Sequence, residues 1–186
     1  MWGCSLSKFL TLKMSALLSF GDCSSPNLIV LFTNKELCDQ LFLAALEWGI
    51  ARDRRTHYIR RSRFDKLPTV PTEYFTDPAR LKTITFHYML DCPLEKAAEL
   101  SADFSTRDME SLIIVETDEG SYLGEHAVAN TLALLSSFSC NKRRSIVCFP
   151  YDENLIMVVS LFTKHIYVHN DDDTLTSLYD FAVQIH

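Results

Sequence analysis

The run Ser111-Leu112-Ile113-Ile114-Val115-Glu116-Thr117-Asp118-Glu119-Gly120 constrains the chain more than any other stretch. Four consecutive apolar residues, two of them isoleucines, give way to the acids Glu116, Asp118 and Glu119 and then a glycine. A short apolar run bounded by turn chemistry predicts a strand buried on both faces, the mark of a parallel sheet covered by helices. Glu116 then falls where the strand emerges at its carboxyl end, the edge at which open α/β sheets bind ligands. An acid there suits a nucleotide-binding ATPase, which uses it to hold Mg²⁺ through water. Such a site also needs a phosphate-binding loop.

Before that run, Leu28-Ile29-Val30-Leu31-Phe32 is a second buried strand, and Thr33-Asn34-Lys35 makes a turn in which Thr33 or Asn34 is able to cap a helix. From Glu36 to Trp48 the apolar residues Leu37, Leu41, Ala44, Ala45 and Trp48 share one helical face, and Gly49 ends the helix. His57-Tyr58-Ile59 is a weaker strand, and Phe64–Pro78, with three prolines and no period, is loop. Leu81–Tyr88 alternates as a strand, and Pro93 opens a helix as its first residue. Glu125–Phe138 carries a helical stripe of Val128, Leu132 and Leu135, and Ser145–Phe149 is a further strand. Leu155–Phe162 fits helix or strand. Lys164–Val168 and Leu178–Ile185 alternate across the turn-rich linker Asn170–Asp173 and predict an antiparallel hairpin at the sheet's edge. Strand–helix alternation up to residue 150 predicts an α/β fold with a mostly parallel sheet flanked by helices and C-terminal antiparallel strands.

At 186 residues, 47% hydrophobic and 23% charged, the chain fits one soluble globular domain rather than a disordered one. Residues 1–27 read as an N-terminal arm ahead of a core domain over residues 28–186. The apolar stretch Phe9–Phe20 is interrupted by Lys13 and lacks a clear cleavage site, so it reads as part of the protein. Six scattered cysteines without a Cys-x-x-Cys pair give no zinc spacing and predict free thiols. The net charge of −6 conceals an asymmetry: residues 51–90 hold nine Lys and Arg against four Asp and Glu, whereas residues 91–186 hold six against sixteen. One basic face is therefore compatible with an acidic chain.

The phosphate loop belongs between the strand at Leu28–Phe32 and its helix, at Thr33-Asn34-Lys35-Glu36-Leu37-Cys38. A P-loop needs glycines to wrap backbone N–H groups around phosphate, a lysine, and a Ser or Thr for Mg²⁺. This turn has no glycine, and Lys35 is followed by Glu36. Glu36 and Asp39 also place negative charge where the helix N-terminus would meet phosphate. The loop Gly21–Asn27 lacks the lysine and second glycine. Hydrolysis of ATP by this chain alone is not expected, and neither a cofactor nor a metal is.

Taken in order, Leu28-Ile29-Val30-Leu31 with Phe42-Leu43-Ala44-Ala45-Leu46-Glu47, then Asp77-Pro78-Ala79-Arg80-Leu81-Lys82-Thr83-Ile84, then Ser111–Glu116 resemble the RecA/Rad recombinase family. The likeness is to its small, divergent paralogs that work with SWIM-domain proteins in Shu-type complexes, and it runs from about Leu28 to the C-terminus. The resemblance implies a RecA-like core lacking a functional P-loop, with Thr33–Cys38 as a degenerate Walker A region. It makes Leu112, Ile113, Ile114, Val115, Glu116 and Asp118 a Walker B-like strand end, with Glu116 at the position of the family's aspartate. It further implies a nuclear, non-catalytic subunit that pairs with another RecA-fold paralog, with a SWIM-domain protein and the recombinase filament as further partners. Such a subunit promotes homologous recombination by stabilising or remodelling that filament on single-stranded DNA, reached through the complex. The other reading is a nucleotide-dependent ATPase or hydrolase with an unconventional site.

Glu116 and Asp118 suit a vestigial Mg²⁺ site, a contact with a neighbouring subunit, or solvated acids at a strand end. Arg52, Arg54, Arg55, Arg60, Arg61, Arg63 and Lys66 lie within fifteen residues. They suit phosphate contact with Tyr58 or Phe64 stacking a base, the acidic surface of another subunit, or a solvated basic face. Lys142-Arg143-Arg144 reads as a basic complement to the preceding helix's dipole. Phe42-Leu43-Ala44-Ala45 matches the Phe-x-x-Ala pattern recombinases use to grip a neighbour, but its place in an amphipathic helix makes it core.

Overall fold

The computed structural model describes residues 11–13, 26–49, 54–66, 68–69, 81–104, 110–119, 121, 124–137, 143–170 and 174–178. These form an α/β sandwich. The strands are β1 (Thr11–Lys13), β2 (Leu28–Phe32), β3 (Arg54–Arg60), β4 (Ile84–Tyr88), β5 (Glu110–Glu116), β6 (Arg143–Phe149), β7 (Ile166–His169) and β8 (Thr174–Ser177). The helices are α1 (Cys38–Trp48), α2 (Pro93–Phe104), α3 (Glu125–Ser137) and α4 (Glu153–Ser160). No helix among the described residues is long and apolar enough to cross a membrane.

One eight-stranded sheet runs in the order β1-β8-β7-β2-β6-β5-β3-β4. The six strands from β7 to β4 are parallel, and β8 pairs antiparallel with both β7 and β1. Side-chain alternation divides the strand residues between two cores. Ile29, Leu31, Tyr58, Leu112, Ile114, Ile146 and Cys148 face α1, which adds Leu41, Phe42, Ala45 and Trp48. Leu28, Val30, Phe32, Ile59, Ile113, Val115, Val147 and Phe149 face α2, α3 and α4. Each fully buried aliphatic side chain contributes on the order of 1.5–3 kcal/mol relative to exposure, so Leu112–Val115 anchors both layers at once.

The unequal division of helices follows from the direction of travel. From β2 the chain steps across β6 and β5 to β3, and α1 covers that crossover. From β4 it returns through β5, β6 and β7, and α2, α3 and α4 cover the return. Parallel crossovers keep a right hand, so reversing direction moves the helix to the opposite face. At adjacent strands β2 and β6 the outgoing segments therefore diverge, toward α1 on one face and α4 on the other. A crevice at their carboxyl ends results.

Several boundaries differ from expectation. Helix α1 begins at Cys38, and its N-cap residue Leu37 makes no side-chain cap. Thr33 and Asn34 do not cap it: the Thr33 hydroxyl engages the backbone of Lys35 at 3.0 and 3.1 Å, and Asn34 Oδ1 accepts the Tyr151 N–H at 3.2 Å. The ambiguous stretch at 155–162 is helix α4, capped by Asp152, whose side chain accepts the Asn154 N–H. The partner of β7 is Thr174–Ser177 rather than the expected Leu178–Ile185, of which Leu178 is not strand and residues 179–185 lie outside the described residues. Thr11–Lys13 of the N-terminal arm pairs with β8, beyond the hairpin. Arg143 and Arg144 open β6 rather than trailing a helix, with the Arg144 guanidinium 5.5 Å from the centre of the Trp48 ring.

Gly49 ends α1 for a reason of space. Its φ of −70° is ordinary helical backbone, but a Cβ there would lie 2.3 Å from Thr83 Oγ1 and 3.3 Å from Thr83 Cβ. Gly49→Ala should destabilise the fold by about 1–3 kcal/mol, as overpacking does. Thr83→Ala in the same chain should recover much of that loss in urea unfolding.

Across β3 and β4, His57 Nδ1 and His87 Nε2 lie 3.0 Å apart in a hydrogen bond. Burial, with His87, Arg55 and Lys96 adding, pushes His57 down from 6.5 to about 4. Burial, then Lys96, also lowers His87, against the pull of Glu99. A histidine depressed in the fold stays neutral while its unfolded counterpart takes up a proton. Stability should thus be full above pH 6.5 and fall as pH drops toward 4. Urea unfolding across that range should show the decline, and the double variant His57→Gln/His87→Gln should flatten it.

Candidate functional site

A cleft of about 420 Å³ opens at the carboxyl edge of the parallel strands. Four connections line it: residues 33–38 after β2, 60–62 at the end of β3, 116–119 at the end of β5, and Cys148 with Pro150 at the end of β6. The turn at residues 33–38 and the strand end at residues 116–119, far apart in sequence, thus face one cavity.

Two backbone N–H groups of the turn after β2 are already engaged. The Thr33 N–H donates to Phe149 O at 2.9 Å, and the Lys35 N–H donates to the Thr33 hydroxyl. Asp39, in the first turn of α1, accepts the Thr69 N–H at 2.7 Å. Glu36 and Cys38 make a long contact, with Cys38 Sγ 3.9 Å from Glu36 Oε2. The helix N-terminus thus has two carboxylates beside it, where an anion site would need to be free of them.

Arg60 and Glu116 form the floor. Strands β3 and β5 are parallel neighbours with Ile59 opposite Val115, so their last residues emerge side by side. Arg60 Nε lies 3.6 Å from Glu116 Oε2, and the two side chains are only 12% and 14% exposed. Arg60 also donates from Nη1 to Cys38 Sγ at 3.5 Å and lies 4.0 Å from the centre of the Phe64 ring. Arg60 Nε, Glu116 Oε2 and the Tyr58 hydroxyl are buried and make no hydrogen bond, so charge attraction rather than hydrogen bonding joins the pair.

These surroundings set the protonation chemistry. Burial raises the Glu116 carboxyl; Arg60 pulls it back down, Glu36 adds to the rise, and the nearby Tyr58 and Cys38 oppose it. For Arg60, burial favours loss of the proton, but Glu116 and Cys38 more than restore it. Burial and then Glu116 raise the Cys38 thiol above its ordinary value despite Arg60, which leaves it a poor nucleophile. Cys148 is buried and raised further, and Cys38, Cys92 and Cys148 are all free thiols. Among the described residues no group of three or more His, Cys, Asp or Glu side chains is placed to hold a metal ion.

The rim carries a second pair. Arg61 Nη1 reaches Asp118 Oδ1 at 3.3 Å, and Arg61 Nε donates to Leu90 O at 3.1 Å. Asp118 also accepts the Ser121 hydroxyl at 2.9 Å and closes a turn with the Ser121 N–H.

The basic run does not form one patch. Strand β3 separates Arg54 and Arg55 from Arg60, Arg61 and Arg63 by on the order of 20 Å. Arg54 pairs with Glu110 and stacks 4.4 Å from the Trp48 ring centre, whereas Arg55 donates to Lys82 O at 3.3 Å. Arg63 and Lys66 are exposed, and Arg52 lies outside the described residues. Tyr58 is fully buried and Phe64 packs against Tyr58 and Phe86, so neither is available to stack a base. The exposed aromatics at the carboxyl edge among the described residues are Tyr88, with Arg63 5.6 Å from its ring centre, and Tyr151, which follows β6. Phe42 is fully buried against Phe86, as its place in the amphipathic helix implied.

The Arg60–Glu116 pairing had a signal in the sequence: Tyr58-Ile59-Arg60 and Ile114-Val115-Glu116 both end apolar, apolar, charged. Only the strand order makes them neighbours. Comparison of the chain with family models, with curated proteins and with solved structures finds no match.

Breaking a buried pair strands the remaining charge, so Arg60→Met should destabilise the protein by about 3 kcal/mol or more. Arg60→Met/Glu116→Leu should return most of that stability, because no charge is left without its counterpart. Additive losses in chemical denaturation would show that the two side chains are not coupled.

Proposed function

We propose that this protein is a non-catalytic, RecA-like recombinase-paralog subunit. It pairs with another RecA-fold paralog, and with a SWIM-domain protein and the recombinase filament as further partners. In the nucleus it promotes homologous recombination by stabilising or remodelling filaments on single-stranded DNA.

The observation that carries the non-catalytic reading is the floor of the cleft. Glu116 already has a permanent cation against it in Arg60, and burial disfavours its free charge. The turn opposite contains no glycine, and its backbone groups are partly spent on Thr33 and Phe149. A nucleotide would have to displace an internal ion pair and approach Glu36 and Asp39. A subunit that braces a filament needs none of this, because stacking uses surface rather than hydrolysis.

The recombinase reading rests on the sequence resemblance, supported by two features of the fold. The chain has a mostly parallel sheet with helices on both faces, and its Walker B-like strand ends on the same cleft as the degenerate Walker A turn. The polar rim of that cleft, with Glu36, Glu119 and the Arg61–Asp118 pair, suits a protein contact. Arg61 on the rim, and the exposed Arg63 and Lys66 that follow β3 in the chain, are the groups that would meet DNA phosphates in the assembled complex.

Co-expression with candidate RecA-fold paralogs should yield a stable heteromer that shows no ATP turnover attributable to this chain. Glu119→Arg on the rim should weaken assembly by about tenfold or more. A monomer that binds no such paralog would sink the proposal, as would ATP hydrolysis by the isolated chain that disappears on Glu116→Ala.

A further inference from the structure

We propose that Ser62 is a phosphorylation site for arginine-directed serine kinases, and that phosphoserine there draws Arg61 away from Asp118 and so resets the rim of the cleft. Ser62 is exposed, lies in the bend just after β3, and lines the cleft. Its neighbours in the chain are Arg60, Arg61 and Arg63. Arg60 is turned inward to Glu116, so recognition by a kinase falls to Arg61 and the exposed Arg63 on either side of the serine.

In the reaction the Ser62 hydroxyl oxygen attacks the γ-phosphorus of the kinase's ATP. The bond to the β-phosphate oxygen breaks, ADP leaves, and the hydroxyl proton passes to the kinase's base. The product carries close to two negative charges and three strong acceptor oxygens.

Arg61 is the group poised to respond. Its side chain is 39% exposed and half-free to turn: Nη1 makes a single 3.3 Å pair with Asp118, while Nε keeps its 3.1 Å hydrogen bond to Leu90 O. A dianionic phosphate on the adjacent residue is the stronger partner for a guanidinium than one half-exposed carboxylate. Asp118 can release Arg61 without losing its own place, because the Ser121 hydroxyl and N–H hold the turn. The change leaves Asp118 uncovered beside Glu119 and adds the phosphate's charge to the same rim. A surface of paired charges becomes a strongly acidic one. That this regulates assembly rests on the cleft being the partner surface proposed above; the modification itself does not.

The test treats the full chain with ATP and protein kinase C, which accepts basic residues on both sides of a serine, and maps the phosphate by mass spectrometry. The expected result is phosphate on Ser62, with incorporation at that position lost in Ser62→Ala. Casein kinase 2, which reads acids, should leave Ser62 unmodified. The Arg61 side-chain N–H resonance should shift on phosphorylation, and affinity for a paralog should change by about tenfold or more. Failure to modify Ser62 in the folded chain, when a peptide spanning residues 57–68 is modified, overturns the site. A modified Ser62 with an unmoved Arg61 resonance overturns the switch. Unchanged paralog affinity overturns the regulation, whereas a chain that binds no paralog before treatment overturns the reading of the cleft and not the phosphosite.

Discussion

A parallel sheet whose strands are apolar on both faces must be covered on both faces, and most of this structure follows from that requirement. Leu112–Val115 alternates between the two cores, as do Leu28–Phe32 and Ile146–Phe149. With crossovers of one hand, helices reach both faces only if the chain reverses direction along the sheet. The reversal brings β2 and β6 together with diverging exits, and the cleft lies at their carboxyl ends. The site is thus a consequence of covering the sheet rather than an addition to it.

What occupies the cleft edge is electrostatic and largely self-contained. Arg60 answers Glu116 and Arg61 answers Asp118, while Arg54 answers Glu110 at the opposite end of the sheet. The deepest of these pairs is the one that matters chemically. In water an exposed pair contributes little, but at the bottom of the cleft neither side chain can lose its partner cheaply. Glu116 and Arg60 therefore hold one another at the floor of the cleft. The basic segment that looked like one patch in the sequence is instead used up along a strand, which leaves Arg63 and Lys66 as its exposed remainder beyond the end of β3.

Much of the architecture was legible because local patterns and burial agree. The apolar runs at Leu28–Phe32, Leu112–Val115 and Ser145–Phe149 are strands, and the stripe from Leu41 to Trp48 is a helix that packs inward. Where local and long-range forces compete, the sequence was a weaker guide. Thr33 has the chemistry of a helix cap, but bonding to Lys35 wins in so short a turn. Gly49 ends the helix as its place in the sequence implies, but the reason is to make room for Thr83. Tyr58 has the look of a base-stacking aromatic, but its strand position points it into the α1 core. Leu155–Ser160 suits either element until Asp152 caps it and Leu155, Ile156 and Val159 turn to the sheet.

Between residues 28 and 150 the sequence by itself determined the strands and helices, the absence of glycine from the turn after β2 and the acid that closes β5. Each of these is a matter of residues close together along the chain, set by side-chain period and turn chemistry. Only the tertiary structure decided that Glu116 faces Arg60 rather than solvent, because strand order is a contest among distant pairings that no local pattern encodes. Placing β3 beside β5 sets Ile59 against Val115, and the next residue on each strand brings opposite charges together at the floor of the cleft.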